Sequence, residues 1–100
     1  MKYAIMIRDY GDDEQIFLGI KEKEEVKSTI EKNVKEYVEE DPEIFDRLGD
    51  IDVCVIAEDF DGSIKYINKA STLNDFFNSD QKACYFPFYG ILSKIIKVTI

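Results

Sequence analysis

The chain has 100 residues, of which 45% are hydrophobic, and this content is enough to bury one core, so we expect a single domain over 1–100. Its 21 acidic and 13 basic residues give a formal net charge of −8, and the first half, with 15 acidic and 8 basic residues, carries −7 of it. Such a field repels phosphates and anionic lipid headgroups, which excludes direct binding to nucleic acid or to a membrane surface unless a basic patch exists, and it favours a basic protein partner.

The first two elements are predicted to form a hairpin. Tyr3, Ile5 and Ile7 recur at every second position, which is typical of a half-buried strand over 2–9. The short apolar run 16–20 is bounded by turn residues and fits the returning strand. We therefore expect two antiparallel strands joined by an acidic loop.

A long helix is predicted from Lys21 to about Glu40, because apolar residues recur there at spacings of three and four. The residues of this stripe are Val26, Ile30, Val34, Tyr37 and Val38. Asp41-Pro42 ends the helix and is typical of the start of a second one, with Asp41 as the N-cap. This second helix is expected to end at Gly49 and to have one apolar face, made of Ile44, Phe45 and Leu48.

A second hairpin is predicted around Asp61-Gly62, since a two-residue turn requires positive φ angles that Asp and Gly tolerate. Its strands are expected over 51–60 and 63–68. In that register Ile56 lies opposite Ile67, and Glu58 lies opposite Lys65 as an opposite-charge pair.

The C-terminal third predicts a short helix and a last strand. Ser71 or Thr72 can cap a helix containing Leu73, Phe76 and Phe77. The segment 85–90 contains a proline, which favours an edge strand or a loop. Residues 91–100 show both helical and alternating spacing, and their β-branched content favours a strand from about Ser93. The resulting order, ββα(α)ββαβ, predicts an α+β domain with one antiparallel or mixed sheet and the long helix on a face.

The sequence offers little catalytic chemistry. Histidine is absent, which excludes most catalytic triads, and no phosphate-binding glycine loop is present, so we expect neither an enzyme nor a cofactor. Cys54 and Cys84 lie too far apart for a zinc motif and are expected to be reduced and buried. Carboxylates cluster at the two hairpin tips, where they are candidate Mg²⁺ or Ca²⁺ ligands, but they match no complete calcium loop. These carboxylates are Asp9, Asp12, Asp13 and Glu14 at one tip and Glu58, Asp59 and Asp61 at the other.

Two groups of residues are candidates for binding a partner. The first is a set of carboxylates that span a helix end and a corner and could imitate nucleic-acid phosphates towards a basic groove: Glu36, Glu39, Glu40, Asp41, Glu43, Asp46 and Asp50. The second is an aromatic run, typical of interface centres: Tyr85, Phe86, Phe88 and Tyr89. A solvated helix face explains the first group equally well, and core packing explains the second.

These observations favour a small, acidic, non-catalytic binding protein that acts as an inhibitor or adaptor on a basic, nucleic-acid-binding protein. Proteins of this general class include anti-CRISPR proteins, other phage-encoded blockers of host nucleases, and immunity proteins against nuclease toxins. The absence of a secretory signal and the two unpaired cysteines favour the cytoplasm. The alternatives are a module that oligomerises as a homodimer through its C-terminal strand and, less favoured, a carboxylate-dependent metal-binding domain or enzyme.

Overall fold

A computed structural model describes residues 1–11, 13–46, 48–60, 68–69, 73–78 and 82–95. The chain order of its elements is β1 (Lys2–Asp9), β2 (Glu14–Glu22), α1 (Lys23–Glu40), two 3₁₀ segments (Pro42–Asp46 and Leu48–Asp50), β3 (Ile51–Ala57), β4 (Asn68–Lys69), α2 (Leu73–Phe77), β5 (Ala83–Pro87) and α3 (Phe88–Ile95).

The strands form one sheet in the order β2-β1-β3-β5-β4. The first three interfaces are antiparallel, while the two-residue strand β4 pairs with β5 in parallel. With α1 packed on one face, this is the α+β architecture that the sequence predicts. We call the face towards α1 the inner face and the opposite one the outer face.

The alternation in β1 decides which side chains lie on the inner face. Ile5 and Ile7 are 0% and 1% exposed, whereas Ala4 and Met6 point to the outer face and stay half-buried. Strand β2 returns antiparallel to β1, as predicted, with a register shift between the partners of Ile5 and Met6. This shift is a bulge in the edge strand next to Gly19, whose φ of 124° favours glycine.

Helix α1 covers the inner face with the predicted apolar stripe. Val26, Ile30 and Val34 are at most 1% exposed, and Tyr37 and Val38 pack half-buried against the same core. The helix ends where the Asp41 amide donates to the Tyr37 carbonyl at 3.2 Å. Its last turn contains no basic residue to balance the negative end of the helix dipole.

The corner after α1 consists of 3₁₀ segments rather than a second α-helix. Asp41 is its cap, because Asp41 Oδ1 accepts a hydrogen bond from the Glu43 amide at 3.2 Å. Ile44 and Leu48 are buried as predicted, but Phe45 is 43% exposed, so its prediction as an apolar-face residue is wrong. With three residues per 3₁₀ turn, neighbouring side chains point about 120° apart, and Ile44 and Phe45 cannot share a face.

The predicted pairing of β3 with the segment after it is wrong. Ile56 pairs with Ala4 on one side and with Ala83 on the other, which leaves no place for Ile67. The Phe60 amide donates to the Ala57 carbonyl at 3.0 Å, so the chain turns directly after β3. Strand β5 lies beside β3 because it brings the inner-face residues Cys84 and Phe86 into the core. The predicted turn at Asp61-Gly62, Lys65 and the rest of 61–67 lie outside the described residues.

Two further differences concern the C-terminal third. Strand β5 lies between β3 and β4, not in a loop or at an edge, and Pro87 is tolerated because it is the last residue of the strand. Residues 93–95 belong to α3, so a strand does not begin at Ser93. Helix α2 forms as predicted, and Phe76 is buried there at 2% exposure. The candidate caps Ser71 and Thr72 and residues 96–100 lie outside the described part of the chain.

The described helices all pack on the inner face. The Phe88 ring of α3 lies 5.9 Å from the Tyr37 ring of α1, and the Phe76 ring of α2 lies 6.3 Å from the inner-face ring of Phe86. Among the described residues, the core is therefore a single layer between the sheet and the helices.

Candidate protein-binding surfaces

Six exposed carboxylates surround the C-terminal end of α1 and the 3₁₀ segments. We call this group the acidic corner; its members are Glu36, Glu39, Glu40, Glu43, Asp46 and Asp50. The corner lies at the same end of the sheet as the tip of the first hairpin, since the Tyr10 amide donates to the Asp50 carbonyl at 2.8 Å. The exposed acids Asp13 and Glu14 of that tip therefore lie near the corner and extend its negative charge. The fold brings them there, although they are far from the corner in sequence.

Asp41 is the one predicted carboxylate that has a structural role inside this segment. It is half-buried, and its Oδ1 accepts the Glu43 amide. The other six predicted carboxylates remain exposed, so the structure brings nearly the whole predicted set to the surface.

Phe45 lies within the acidic corner and was missed as a candidate binding residue. It is 43% exposed, Asp46 follows it directly and Glu43 lies two residues before it, while Ile44 is turned into the core. The available signal was the proline-initiated segment, in which a tight turn of about three residues points Ile44 and Phe45 in different directions. A large aromatic side chain in a charged surface is typical of a binding anchor.

A buried carboxylate fixes the corner to the first hairpin. Asp9 is 1% exposed, its Oδ2 accepts from the Tyr37 hydroxyl at 2.9 Å, and its Oδ1 accepts from the Gly11 amide at 3.0 Å. These bonds join the last turns of α1 to the hairpin tip and explain why a charged group is tolerated in the core. Asp9 is therefore a structural link and not an open ligand for a cation.

The hairpin tips do not assemble a cation site within the described part of the chain. No group of three or more His, Cys, Asp or Glu side chains is close enough there to hold a metal ion. Asp59 instead pairs with Lys82, with Oδ2 and Nζ 2.9 Å apart. Asp12 and Asp61 lie outside the described residues.

The aromatic run 85–89 does not form a surface as a unit. Phe86 and Phe88 are 3% and 0% exposed and belong to the core, which agrees with the core-packing explanation of this run and leaves neither side chain accessible in the folded protein. Tyr85 is half-buried on the outer face, with its ring centre 6.0 Å from the Arg8 guanidinium carbon. Tyr89 lies in the first turn of α3, and its side chain is outside the described part. The strand alternation and the helix start after Pro87 turn Phe86 and Phe88 inward.

Both cysteines are free and buried, as expected. They lie on neighbouring strands but on opposite faces of the sheet, because Cys54 pairs with Tyr85 while Cys84 pairs with Val55. Burial raises the pKa of the Cys54 thiol above its ordinary value of 9.0, and the smaller effect of Arg8 lowers it. This environment keeps the thiol protonated and unreactive at neutral pH.

A second exposed feature lies on the outer face. Phe17 and Ile20 of β2 are 61% and 60% exposed, and their partners on β1 are Met6 and Ala4. We call these four residues the outer patch. The sequence pattern does not indicate this patch, because the bulge next to Gly19 interrupts the strict alternation of β2.

Comparison of the chain with protein-family models, with curated proteins and with solved structures finds no match. In the described part of the chain, none of the helices is both long and apolar enough to cross a bilayer. The surfaces themselves are therefore the basis for a functional assignment.

Proposed function

We propose that this chain is a small acidic binding protein without catalytic activity, which acts in the cytoplasm as an inhibitor or adaptor on a basic protein. The observation that carries the proposal is the acidic corner, where six carboxylates are exposed on adjoining turns. A nucleic-acid-binding protein is the partner class that fits best, because its groove is built to receive closely spaced negative charges. In this respect the chain would act as anti-CRISPR proteins and nuclease immunity proteins do.

The position of these charges supports a role beyond solubility. Glu39 and Glu40 lie in the last turn of α1, where the helix dipole makes negative charge unfavourable, and α1 has no basic residue there to offset it. Solubility would be served equally well by acids at the other end of the helix, where Glu24 and Glu25 already lie. Acidic residues that lower the stability of the helix end are consistent with a role in binding a partner.

Phe45 replaces the aromatic run as the adhesive element of this surface. Charge on a rim raises the rate of association more than it slows dissociation, so a tight complex needs a desolvated anchor as well. Phe45, at 43% exposure, has Glu43 and Asp46 close to it in one 3₁₀ segment. The partner should therefore present an apolar pocket with Lys or Arg at its rim.

The test begins with affinity capture from a lysate of the source organism at low and moderate salt, with recovered proteins identified by mass spectrometry. Binding of each recovered protein is then measured with purified components over a salt series, using E39Q/E40Q/E43Q. The matched control is E24Q/E25Q/E58Q, which makes the same change in charge at exposed positions away from the acidic corner and the tip of the first hairpin.

We expect the corner variant to weaken binding about tenfold at low salt, chiefly through a slower association rate, and to reduce the salt dependence. On a logarithmic scale, the control variant should change the binding affinity and its salt dependence by less than half as much as the corner variant does. Equal effects of the two variants would mean that net charge alone matters and would overturn the assignment of the corner. If the partner is a nuclease, the wild-type chain should inhibit it and the corner variant should need a higher concentration to do so.

A further inference from the structure

The outer face of the sheet has a regular pattern of apolar and charged rows. Cross-strand register places two apolar rows next to each other, and their members from β2 through β5 are Phe17, Met6, Cys54 and Tyr85, then Ile20, Ala4, Ile56 and Ala83. One polar row flanks them at each end, with Gln15 and Arg8 on one side and Glu22 and Lys2 on the other. The apolar rows are most exposed at β2 and β1, which is the outer patch.

The charges on this face balance, unlike those of the whole chain. Within β1, β2, β3 and β5, Lys2 and Arg8 contribute +2 and Glu22 and Asp52 contribute −2, so the outer-face sum of these four strands is 0 while the chain carries −8. The acidic corner belongs to the helical layer. Two copies can therefore meet through their outer faces while their acidic surfaces point away from each other.

We infer that the outer patch binds the outer patch of a second copy of this chain, in a face-to-face dimer whose two-fold axis runs parallel to the strands between β1 and β2. The inference does not depend on the proposed partner. It rests on the exposure of Phe17 and Ile20 and on the self-complementarity of the rows described next.

An axis parallel to the strands keeps each row opposite the same row and exchanges β1 with β2. Phe17 then faces Met6 of the second copy, and Ile20 faces Ala4 of the second copy. Glu22 faces Lys2 of the second copy, twice by symmetry, so opposite charges close one end of the patch, while at the other end Arg8 faces the neutral Gln15 of the second copy. Side chains of this size fill the gap of about 10 Å between stacked sheets.

The other in-plane orientation is excluded by charge. A two-fold axis perpendicular to the strands reverses the rows and places Lys2 opposite Arg8 of the second copy, twice. Like charges facing each other at a contact of this kind oppose association. The arrangement of apolar and charged residues on the outer face therefore favours a second copy as the partner and a single orientation of that copy.

The first experiment measures association by analytical ultracentrifugation over a wide range of protein concentration. We expect the wild-type chain to form dimers and F17S to raise their dissociation constant about tenfold or more. The matched control is F45S, which removes the same side chain from a comparably exposed position in the helical layer and should leave the dimer unchanged. A wild-type chain that stays monomeric at every concentration, or equal effects of F17S and F45S, would overturn the inference.

The second experiment tests the orientation with charge reversals that keep the apolar residues. K2E and E22K each place like charges opposite each other in their own dimers, and both should dissociate more readily than the wild type. Mixing the two variants restores opposite charges across the interface, so a heterodimer should form that is tighter than either homodimer.

The mixture of K2E and E22K distinguishes an effect on the dimer interface from an effect within a single chain. Lys2 and Glu22 are also cross-strand neighbours in a single copy, and that pair stays broken in both variants, whether mixed or not. E24K and K27E, at exposed positions of α1, are the matched control pair and should show no preference for each other. Failure of the K2E and E22K mixture to form the heterodimer would overturn the proposed orientation.

Discussion

The inner face of the sheet at β1 and β3 and the outer face at β2 present apolar side chains in opposite ways. The contrast belongs to the β2 edge, because Cys54 and Ala83 on the outer face are each 2% exposed. On the inner face, Ile5, Ile7, Val53 and Val55 are at most 1% exposed beneath the helices. On the outer face, Phe17 and Ile20 are about 60% exposed, at 61% and 60%. Apolar side chains in a strand can stabilise the fold of one chain or contact another molecule. Whether helices cover them decides which of these two roles they have.

The largest expected difference between the faces is in stability. Ile5→Ala removes a fully buried side chain and leaves a cavity, so we expect it to lower the free energy of unfolding by about 2–5 kcal/mol. Ile20→Ala deletes the same atoms on the outer face and should cost less than about 1 kcal/mol. Urea denaturation, at a concentration where the wild-type chain is monomeric, measures both. Similar losses for the two variants would mean that the faces do not differ.

The buried link between α1 and the first hairpin should show the next largest effect. Tyr37→Phe removes the hydroxyl that donates to Asp9 Oδ2, while Asp9 stays buried, so we expect a loss of about 1–3 kcal/mol. Tyr10, 59% exposed, provides the control, because Tyr10→Phe should change stability by no more than about 0.5 kcal/mol. If Tyr37→Phe were as mild as its control, the corner would not depend on this hydrogen bond.

The acidic corner should respond with the opposite sign. In E39Q/E40Q two negative charges leave the negative end of the α1 dipole, and we expect stability to rise by some tenths of a kcal/mol per residue at low salt. E24Q/E25Q removes two acids from the first turn of the same helix and should lower stability by a similar amount. Both changes should shrink as salt is added. Thermal and urea unfolding at two salt concentrations would show whether the signs differ.

The smallest expected effect concerns the buried thiol on the outer face. The pKa of Cys54 is raised by burial above its ordinary value of 9.0, so the folded chain binds this proton more tightly than the unfolded chain does. This contribution to stability is complete below pH 9.0 and is lost as pH rises from there through the folded pKa. Cys54→Ala should therefore lose stability less steeply than the wild type between neutral pH and pH 10. Parallel curves for the two proteins would contradict this assignment.

Local patterns predicted the parts of the fold that depend on local physics. The stripe from Val26 to Val38 and the alternation in β1 follow directly from the periods of helix and strand, and both are present. The exposure of the acidic corner was foreseeable in the same way, because carboxylates without partners remain in water. Asp41 could be identified as a cap from its position before Pro42.

The errors arose where tertiary contacts decide the structure. Nothing in the sequence around Ile56 shows that Ala83, far along the chain, takes the place beside it. The inward orientation of Phe86 and Phe88 depends on the same insertion of β5. Phe45 and the outer patch were missed because a 3₁₀ segment and a bulge change the period on which the prediction depends.

The bulge near Gly19 has a further consequence for the size of any assembly. Strand β2 is nine residues long and lies at an edge of the sheet, where it could template the addition of strand after strand. The bulge interrupts the regular spacing of its outward amides and carbonyls and makes such growth unfavourable. In a face-to-face dimer about a two-fold axis, each copy uses its outer patch once. No patch then remains free to bind a third copy. A chain built in this way can associate in pairs without acting as the seed of a fibre.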